Sequence, residues 1–265
     1  MPRYDFRSPR LYIDTPLGGG QRVLLDPAQA NYLRNVLRLK VDDTVLVFNG
    51  HDGEWRATLT AGDRRSAALI VGPKLREQTP PTDLHYLFAP LKHARLDYMV
   101  QKAVEMGASR LQPVLTQHSQ VARVNLERMR ANAIEAAEQC GILALPATAE
   151  PISFDRMIAG RDPARLLVFC DEDAEVKDPV AALADARPPP TAMLPLTMAG
   201  AAASAAAQPL ALLIGPEGGF SDDERATLLK QPNMVRLSLG PRILRADTAA
   251  VAALALVQAA LGDWA

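Results

Sequence analysis

Two glycine- and proline-containing loops within residues 210–250 carry the groups best suited to chemistry. Each loop follows a short apolar run, the first over residues 210–214 and the second over residues 234–239. Glycine lets backbone N–H and C=O groups approach a flat ligand closely, and proline restrains a loop against collapse. This pattern predicts a ligand site, although tight strand-to-helix turns would use the same residues.

The polar side chains of these loops favour binding over nucleophilic catalysis. Arg242 and Arg245 could bind a nucleic-acid phosphate or stack on a base, or one of them could pair with Asp247 or Glu217. The first loop, residues 215–219, lacks both the dinucleotide-binding glycine spacing and the lysine of a P-loop. The histidines lie at spacings that match no catalytic triad and no metal site: His51, His85, His93 and His118. We therefore predict no metal.

Helix-capping residues follow both loops. Ser221 and Glu224 form the pattern of a capping box, and Asp247 or Thr248 could cap an alanine-rich helix that ends at Gly262. Two adjacent strand-loop-helix units place two loops and two helix N-termini at one edge of a sheet. Open α/β sheets bind their ligands at this edge.

The rest of residues 84–265 alternates between strand and helix patterns. Strands are predicted over residues 84–89, 111–115 and 165–170, and helices over residues 94–106 and after Asn125. Pro113 favours an edge position or a bulge for its strand. The alternation predicts an α/β domain with a largely parallel sheet. Residues 188–209, rich in alanine and proline, interrupt it as a mobile insertion or a short helix.

The first 72 residues have a different pattern. Short alternating runs, a tight hairpin turn over residues 49–53 and one helix over residues 27–39 predict a small β-rich domain. Residues 73–83 are polar and contain prolines, which is typical of a linker. The chain thus divides into a β-rich domain over residues 1–72, a linker and an α/β domain over residues 84–265.

Charge and cysteine content limit the protein class. The 29 basic and 30 acidic side chains exclude a strong overall attraction to nucleic acid. Residues 1–40 nevertheless contain seven basic and three acidic side chains, which indicates a local basic face or an ordinary solvated surface. Two cysteines are too few for a disulfide framework. Because we find neither a signal peptide nor a membrane-spanning run, a cytoplasmic location is expected.

Several motifs together resemble the RsmE family of SPOUT-class methyltransferases, which methylate N3 of a uridine in 16S ribosomal RNA. The resemblance is carried by Lys92, Pro113, Pro146 and residues 101–107, 135–140, 215–221, 239–245 and 248–249. Residues 33–38 and 45–55 resemble the PUA-like RNA-binding domain of the family. The resemblance covers nearly the whole chain apart from the insertion.

The resemblance implies a C-terminal trefoil knot that holds S-adenosylmethionine (SAM), a homodimer, and 16S rRNA in the small ribosomal subunit as partner. By matching position, the cofactor site would contain Leu213, Ile214, Gly215, Pro216, Glu217, Gly218, Gly219, Leu237, Leu239, Gly240, Ile243, Leu244 and Arg245. Arginines of the first domain and of the second loop are the candidates for RNA contact: Arg7, Arg10, Arg34, Arg38 and Arg242.

For the reaction, we expect Arg245 to stabilise the developing uridine anion, with Glu138 or Asp247 positioning it or accepting the N3 proton through water. Three positions depart from the family pattern: Asp247 replaces Glu, Asn31 replaces His and Ile142 replaces Arg. Two other functions fit the same residues. One is a noncatalytic RNA-binding assembly factor, and the other is a SPOUT enzyme that modifies another nucleotide or a transfer RNA.

Overall fold

The protein, represented by a computed structural model, folds into two compact units. The structure describes residues 5, 7–60, 67–175, 178–187 and 208–264, apart from the side chain of His93. The first unit comprises Met1–Pro80 with Ile134–Leu145, and the second comprises Pro81–Ala133 with Pro146–Ala265. Residues 134–145 thus group with the β-rich part of the chain, whereas the sequence pattern assigns them to the α/β domain.

Hydrogen bonds explain this grouping. The carboxylate of Glu138 accepts a hydrogen bond from the backbone N–H of Tyr12 at 2.8 Å. The Arg76 guanidinium donates to the carbonyl oxygen of Gly141 at 2.7 Å. Both bonds connect positions more than 60 residues apart, and composition along the chain cannot reveal such contacts.

The first unit is built on a five-stranded sheet in the order β1-β3-β4-β5-β2. Its strands are β1 Arg10–Tyr12, β2 Arg22–Leu24, β3 Thr44–Phe48, β4 Glu54–Thr60 and β5 Ala68–Arg76. Strands β1 and β3 are parallel, and the other pairs are antiparallel. The predicted β3–β4 hairpin is confirmed. Because β5 continues to Arg76, residues 73–76 are strand and not linker.

The predicted helix of the first unit changes its winding part-way. Helix α1, Pro27–Asn31, begins with a capping box in which Asp26 and Gln29 exchange hydrogen bonds. A π-helical segment, Tyr32–Val36, follows and buries Leu33 completely. The wider turn ends before Arg38, whose positive φ of 58° breaks the helix.

The second unit contains a parallel sheet of seven described strands. They are β6 Leu84–Phe88, β7 Arg110–Leu115, β8 Ala147–Thr148, β9 Ile152–Ser153, β10 Leu166–Cys170, β11 Leu210–Ile214 and β12 Met234–Leu237. The order is β12-β10-β11-β6-β7-β8, and β9 also pairs with β7. Every described pair is parallel, so the predicted α/β class is confirmed.

Pro113 lies in an interior strand, so the predicted edge position is wrong. Strand β6 pairs with one side of β7, with Phe88 opposite Pro113. On the other side, β8 pairs with residues 110–111 and β9 with residues 114–115. Pro113 thus falls in the gap between two short partners, where its missing N–H breaks no pairing.

Helices connect the strands of this sheet. They are α2 His93–Glu105, α3 Leu126–Cys140, α4 Phe154–Ala159, α5 Pro179–Asp185, α6 Asp222–Leu229 and α7 Ala246–Leu261. The Asn125 side chain accepts from the N–H of Arg128 at 3.0 Å, and the Ser221–Glu224 capping box is present, as predicted. In the part of the chain that the structure describes, no helix combines the length and apolar character needed to cross a membrane.

The start of α7 differs from the prediction. Arg245 occupies the N-cap position and makes no side-chain cap hydrogen bond. Asp247 lies inside the first turn, where its carboxylate accepts from the N–H of Thr248 at 2.9 Å. The prediction that Asp247 or Thr248 caps this helix is therefore wrong by two or three positions. Of the predicted insertion, residues 188–207 lie outside the described residues, and residues 208–209 lead directly into β11.

Candidate functional site

A cavity of about 410 Å³ lies at the carboxyl ends of three adjacent strands, β10, β11 and β12. Its walls come from residues 170–173 after β10, residues 214–222 after β11 and residues 237–244 after β12, with further contributions from α6 and α7. Parallel strands bring these loops to one edge of the sheet. The volume lies in the range of small-molecule sites.

Most of the predicted cofactor residues line this cavity. Ten of them do so: Ile214, Gly215, Pro216, Glu217, Gly219, Leu237, Leu239, Gly240, Ile243 and Leu244. Three do not. Leu213 is completely buried in the sheet core, Gly218 lies against His118, and Arg245 begins α7. The structure therefore brings both glycine loops to one cavity, which a pair of unrelated turns would not require.

Two glycines of the first loop have geometries that a side chain would disturb. Gly219 has a φ of +72°, and a Cβ there would lie 3.2 Å from Oε1 of Glu172. A Cβ on Gly215 would lie 2.9 Å from the ring of Phe220. Glycine thus allows the backbone to follow the cavity wall closely.

The third wall, residues 170–173, was missed by sequence reasoning. Asp171 is buried, and its carboxylate accepts from Nε of Arg225 at 3.1 Å and from Nε of Arg236 at 2.8 Å. Its backbone N–H donates to the carbonyl of Leu237 at 3.1 Å. Asp171 therefore ties β10 to α6 and to β12. An acidic run directly after a buried strand is the sequence signal that could have identified it.

Cys170 also lines the cavity, and its thiol has a raised pKa. Burial raises the pKa of its thiol to about 12, and the negative charge of Asp171 adds to the shift. A thiol with this pKa stays protonated at neutral pH, and only the thiolate is a good nucleophile.

Arg242 and Arg245 are exposed, and Arg242 lines the cavity. Neither forms an ion pair with any residue that the structure describes. Glu217, one of the expected alternatives, instead pairs with Arg95 of α2. Asp247, the other, lies in the first turn of α7 together with the backbone of Arg245. Both guanidinium groups are therefore available to a ligand.

Glu138, the other predicted catalytic carboxylate, belongs to the first unit. It is half-buried, and its carboxylate holds the Tyr12 N–H. Burial raises the pKa of Glu138, and the neighbouring charge of Glu135 adds to this, whereas the Tyr12 hydrogen bond opposes it. This carboxylate already has a structural role within its own unit.

The predicted RNA-contact arginines of the first unit differ in exposure. Arg7 and Arg38 are exposed, and Arg34 is half-buried. Arg10 is buried, with 3% of its side chain exposed, and its Nε donates to Glu54 at 2.9 Å. The prediction that Arg10 contacts RNA is therefore wrong, because β1 directs this side chain into a buried ion pair. Across the described residues, no cluster of His, Cys, Asp or Glu could hold a metal ion.

Comparison with known proteins agrees with this site. Residues 78–258 match the family described as RNA methyltransferase domain, which covers more than half of the chain. The chain belongs to the RNA methyltransferase family. The PUA domain of RNA methyltransferases matches residues 25–72, within the β-rich unit, so the PUA-like prediction is confirmed. All residues around the 410 Å³ cavity fall within the methyltransferase match.

Individual relatives extend the RNA methyltransferase assignment over most of the chain. Ribosomal RNA small subunit methyltransferase E of Synechocystis sp. is 32% identical, covering 90% of this chain and 73% of the relative. The protein of the same name from Rickettsia conorii is 27% identical, covering 94% of each chain. The resemblance to the RsmE family is therefore confirmed.

A solved structure extends the comparison to three dimensions. A Legionella pneumophila methyltransferase, solved in complex with the bound cofactor SAM, superimposes with a TM-score of 0.76. It is 27% identical, and the match covers 96% of this methyltransferase and 98% of the Legionella chain.

Proposed function

We propose that this protein transfers a methyl group from SAM to N3 of a uridine in 16S rRNA of the small ribosomal subunit. The observation that carries the proposal is the cavity of about 410 Å³ between the two glycine loops, inside the segment matched by the RNA methyltransferase family. The names of the Synechocystis and Rickettsia relatives support methylation of small-subunit ribosomal RNA, and the SAM bound to the Legionella methyltransferase supports SAM as the cofactor. The uridine and its N3 atom are our finer proposal.

The residues around the cavity fit SAM. Its lining combines apolar surface from Ile214, Leu237 and Leu239 with glycine backbone that can approach a flat base. The carboxylates of Glu172 and Asp173 offer acceptors for hydroxyl and ammonium groups. When bound, SAM supplies a methyl group on a positively charged sulfur. These residues would hold and orient it and exclude water.

The acceptor side would use the arginines of the second loop. Arg245 would stabilise the negative charge on the uridine carbonyl oxygens as N3 loses its proton. Asp247, two residues away on α7, would position Arg245 or accept the proton through water. Methyl transfer would leave the bonding electron pair on the sulfur and the N3 proton with this acceptor. Glu138, the other candidate, instead accepts from the Tyr12 N–H within its own unit. Arg242, which lines the cavity, would contact RNA.

We assign RNA docking to the PUA-like domain of residues 1–72. Arg7 and Arg38 are exposed there, and Arg34 is partly so. They would contact phosphates, whereas the α/β domain of residues 84–265 would perform the transfer. The target base must be unstacked before its N3 can be reached.

The proposal also includes a homodimer, a knotted cofactor site and a cytoplasmic location. Ile243, in the loop after β12, is 89% exposed, and such an apolar side chain at a site rim favours cover by another chain. The two loops that line the cavity are those that would form the trefoil knot. Activity on ribosomal RNA is consistent with the cytoplasm.

The test is to measure methyl transfer and to identify the nucleotide that receives the methyl group. Small subunits isolated from cells that lack the enzyme are incubated with protein and labelled SAM, and the modified nucleotide is identified by mass spectrometry. A methyl group on uridine N3 of 16S rRNA is expected. Binding of SAM by calorimetry without transfer would indicate a noncatalytic RNA-binding factor, and a methyl group elsewhere would indicate another SPOUT activity.

A further inference from the structure

A second cavity lies beside the cofactor cavity within the same unit. Its volume is about 360 Å³. Pro90, Leu91 and Ala94 give it apolar surface, and Lys92, Arg95 and Gln120 give it polar groups. They come from the connection between β6 and α2, from the first turn of α2, and from the segment between β7 and α3.

The loop of residues 215–219 forms a common wall between the two cavities. Pro216 and Glu217 line both of them. Glu217 forms an ion pair with Arg95, and the two side chains are 37% and 40% exposed. The cofactor loop is thus tied to the first turn of α2 by one solvent-accessible pair of charges.

The composition of the second cavity indicates the class of its ligand. Lys92 is exposed and forms no ion pair with any described residue, so its ammonium group can meet an anion. Arg95 provides a planar guanidinium, which binds phosphate with two parallel hydrogen bonds. The apolar walls suit a nucleobase, and the Gln120 amide can both donate to and accept from its edge. A nucleotide carries both an anionic phosphate and a flat base, and therefore matches this lining.

We infer that the second cavity binds a nucleotide of the RNA substrate, with its phosphate on Lys92 and Arg95, and that Glu217 is the anion this phosphate displaces. The inference rests on the proposed function, which makes RNA the anionic ligand. A phosphate on Arg95 releases Glu217, a residue of the cofactor cavity. RNA binding is therefore coupled to the wall that faces SAM.

This coupling predicts that the two variants change RNA affinity in opposite directions. The affinity is measured by fluorescence anisotropy, without cofactor, on a fluorescein-labelled single-stranded RNA that contains uridine. Arg95→Gln removes one phosphate contact and is expected to weaken binding about fivefold at about 0.1 M salt. The slope of log K against log salt should fall by about 0.7. Glu217→Gln removes the competitor and is expected to tighten binding about two- to fivefold.

Matched variants separate this site from general charge effects. Arg156→Gln, an exposed arginine on α4, and Glu127→Gln, an exposed glutamate on α3, make the same charge changes outside the cavity. Equal effects of Arg95→Gln and Arg156→Gln would overturn the inference. In the double variant Arg95→Gln/Glu217→Gln, the gain from removing Glu217 should disappear, since its partner is absent. A gain that persists there would also contradict the inference.

Failure of the second site and failure of the proposed function give different results. RNA affinity is measured without turnover. A wild-type protein that transfers no methyl group would therefore overturn the proposed function, while the effects of Arg95→Gln and Glu217→Gln on RNA affinity could still be measured. A protein that methylates its target while Arg95→Gln and Glu217→Gln behave as their controls would overturn only the second site.

Discussion

Arg236 donates a hydrogen bond from Nε to the buried carboxylate of Asp171 at 2.8 Å, across the neighbouring strands β12 and β10. Arg225 of α6 shares the same carboxylate. Asp171 therefore fixes the relative positions of all three walls of the cofactor cavity. A residue outside the glycine motifs holds the site in shape.

Asp171→Ala is expected to lower the free energy of unfolding by about 2 kcal/mol, because two arginines lose their shared partner. SAM affinity should fall with it, since the walls lose their connection. Denaturant unfolding and calorimetry measure the two effects. Asp185→Ala, an exposed acid on α5, is the control. Asp171→Ala with unchanged SAM affinity would show that the cavity keeps its shape without this carboxylate.

Gly219→Ala is expected to weaken SAM binding more than Gly218→Ala. At Gly219 the φ of +72° costs a side chain about 1–2 kcal/mol, and the Cβ would approach Glu172. At Gly218 the nearest atom to a Cβ is 3.5 Å away, an ordinary contact. Calorimetric titration with SAM compares them. Equal affinities would mean that the loop shifts freely.

Glu54→Ala is expected to lower the free energy of unfolding by about 3 kcal/mol. Its carboxylate, 4% exposed, binds both Arg10 and Arg76, and its loss leaves Arg10 buried without that partner. Thermal or denaturant unfolding measures the effect. Glu77→Ala, whose side chain is 84% exposed, should change stability by less than about 1 kcal/mol. Similar losses for both variants would contradict a structural role for the buried pair.

Arg245→Ala is expected to reduce single-turnover methyl transfer about 100-fold or more at saturating RNA and SAM, because an electrostatic stabiliser of the uridine anion is lost. Arg156→Ala is the control for loss of an exposed arginine. Wild-type turnover by Arg245→Ala would exclude the proposed role. Unchanged SAM affinity is expected in both variants, since Arg245 does not line the cofactor cavity.

Iodoacetamide at pH 8 is expected to alkylate Cys140 and spare Cys170 in the folded protein. Cys140 is exposed, whereas burial raises the pKa of Cys170 to about 12. The thiolate of Cys170 forms only as the pH approaches that value, so its labelling rate should rise steadily with pH above 8 while the fold persists. Mass spectrometry of peptides measures both sites. Comparable rates at pH 8 would contradict the burial of Cys170.

Local patterns predicted local structure well. Strand β11 has the predicted bounds, and the β3–β4 hairpin and the Ser221 capping box are present. In each case the determining residues are neighbours in sequence, so spacing and residue type suffice. Ten predicted cofactor residues meet in one cavity because parallel strands align their carboxyl ends.

Features that depend on distant partners could not be predicted in this way. Arg10 belongs to a basic segment in sequence, yet β1 turns it toward Glu54, 44 residues away. Asp171 reaches Arg225 and Arg236 only after three strands assemble. Pro113 occupies an interior strand because two short strands share one side of β7, an arrangement with no signature in residue type.

The chain enters β11 at the end of this strand that lies away from the cofactor cavity. Residues 188–207 connect Arg187 to Gln208, directly before the amino end of β11. There the Leu166 N–H donates to the carbonyl of Pro209 at 2.9 Å, at the sheet edge opposite the cofactor cavity. An affinity peptide inserted just before Gln208 would therefore enter at the end of β11 away from the cofactor cavity, and we expect it to preserve methyl transfer.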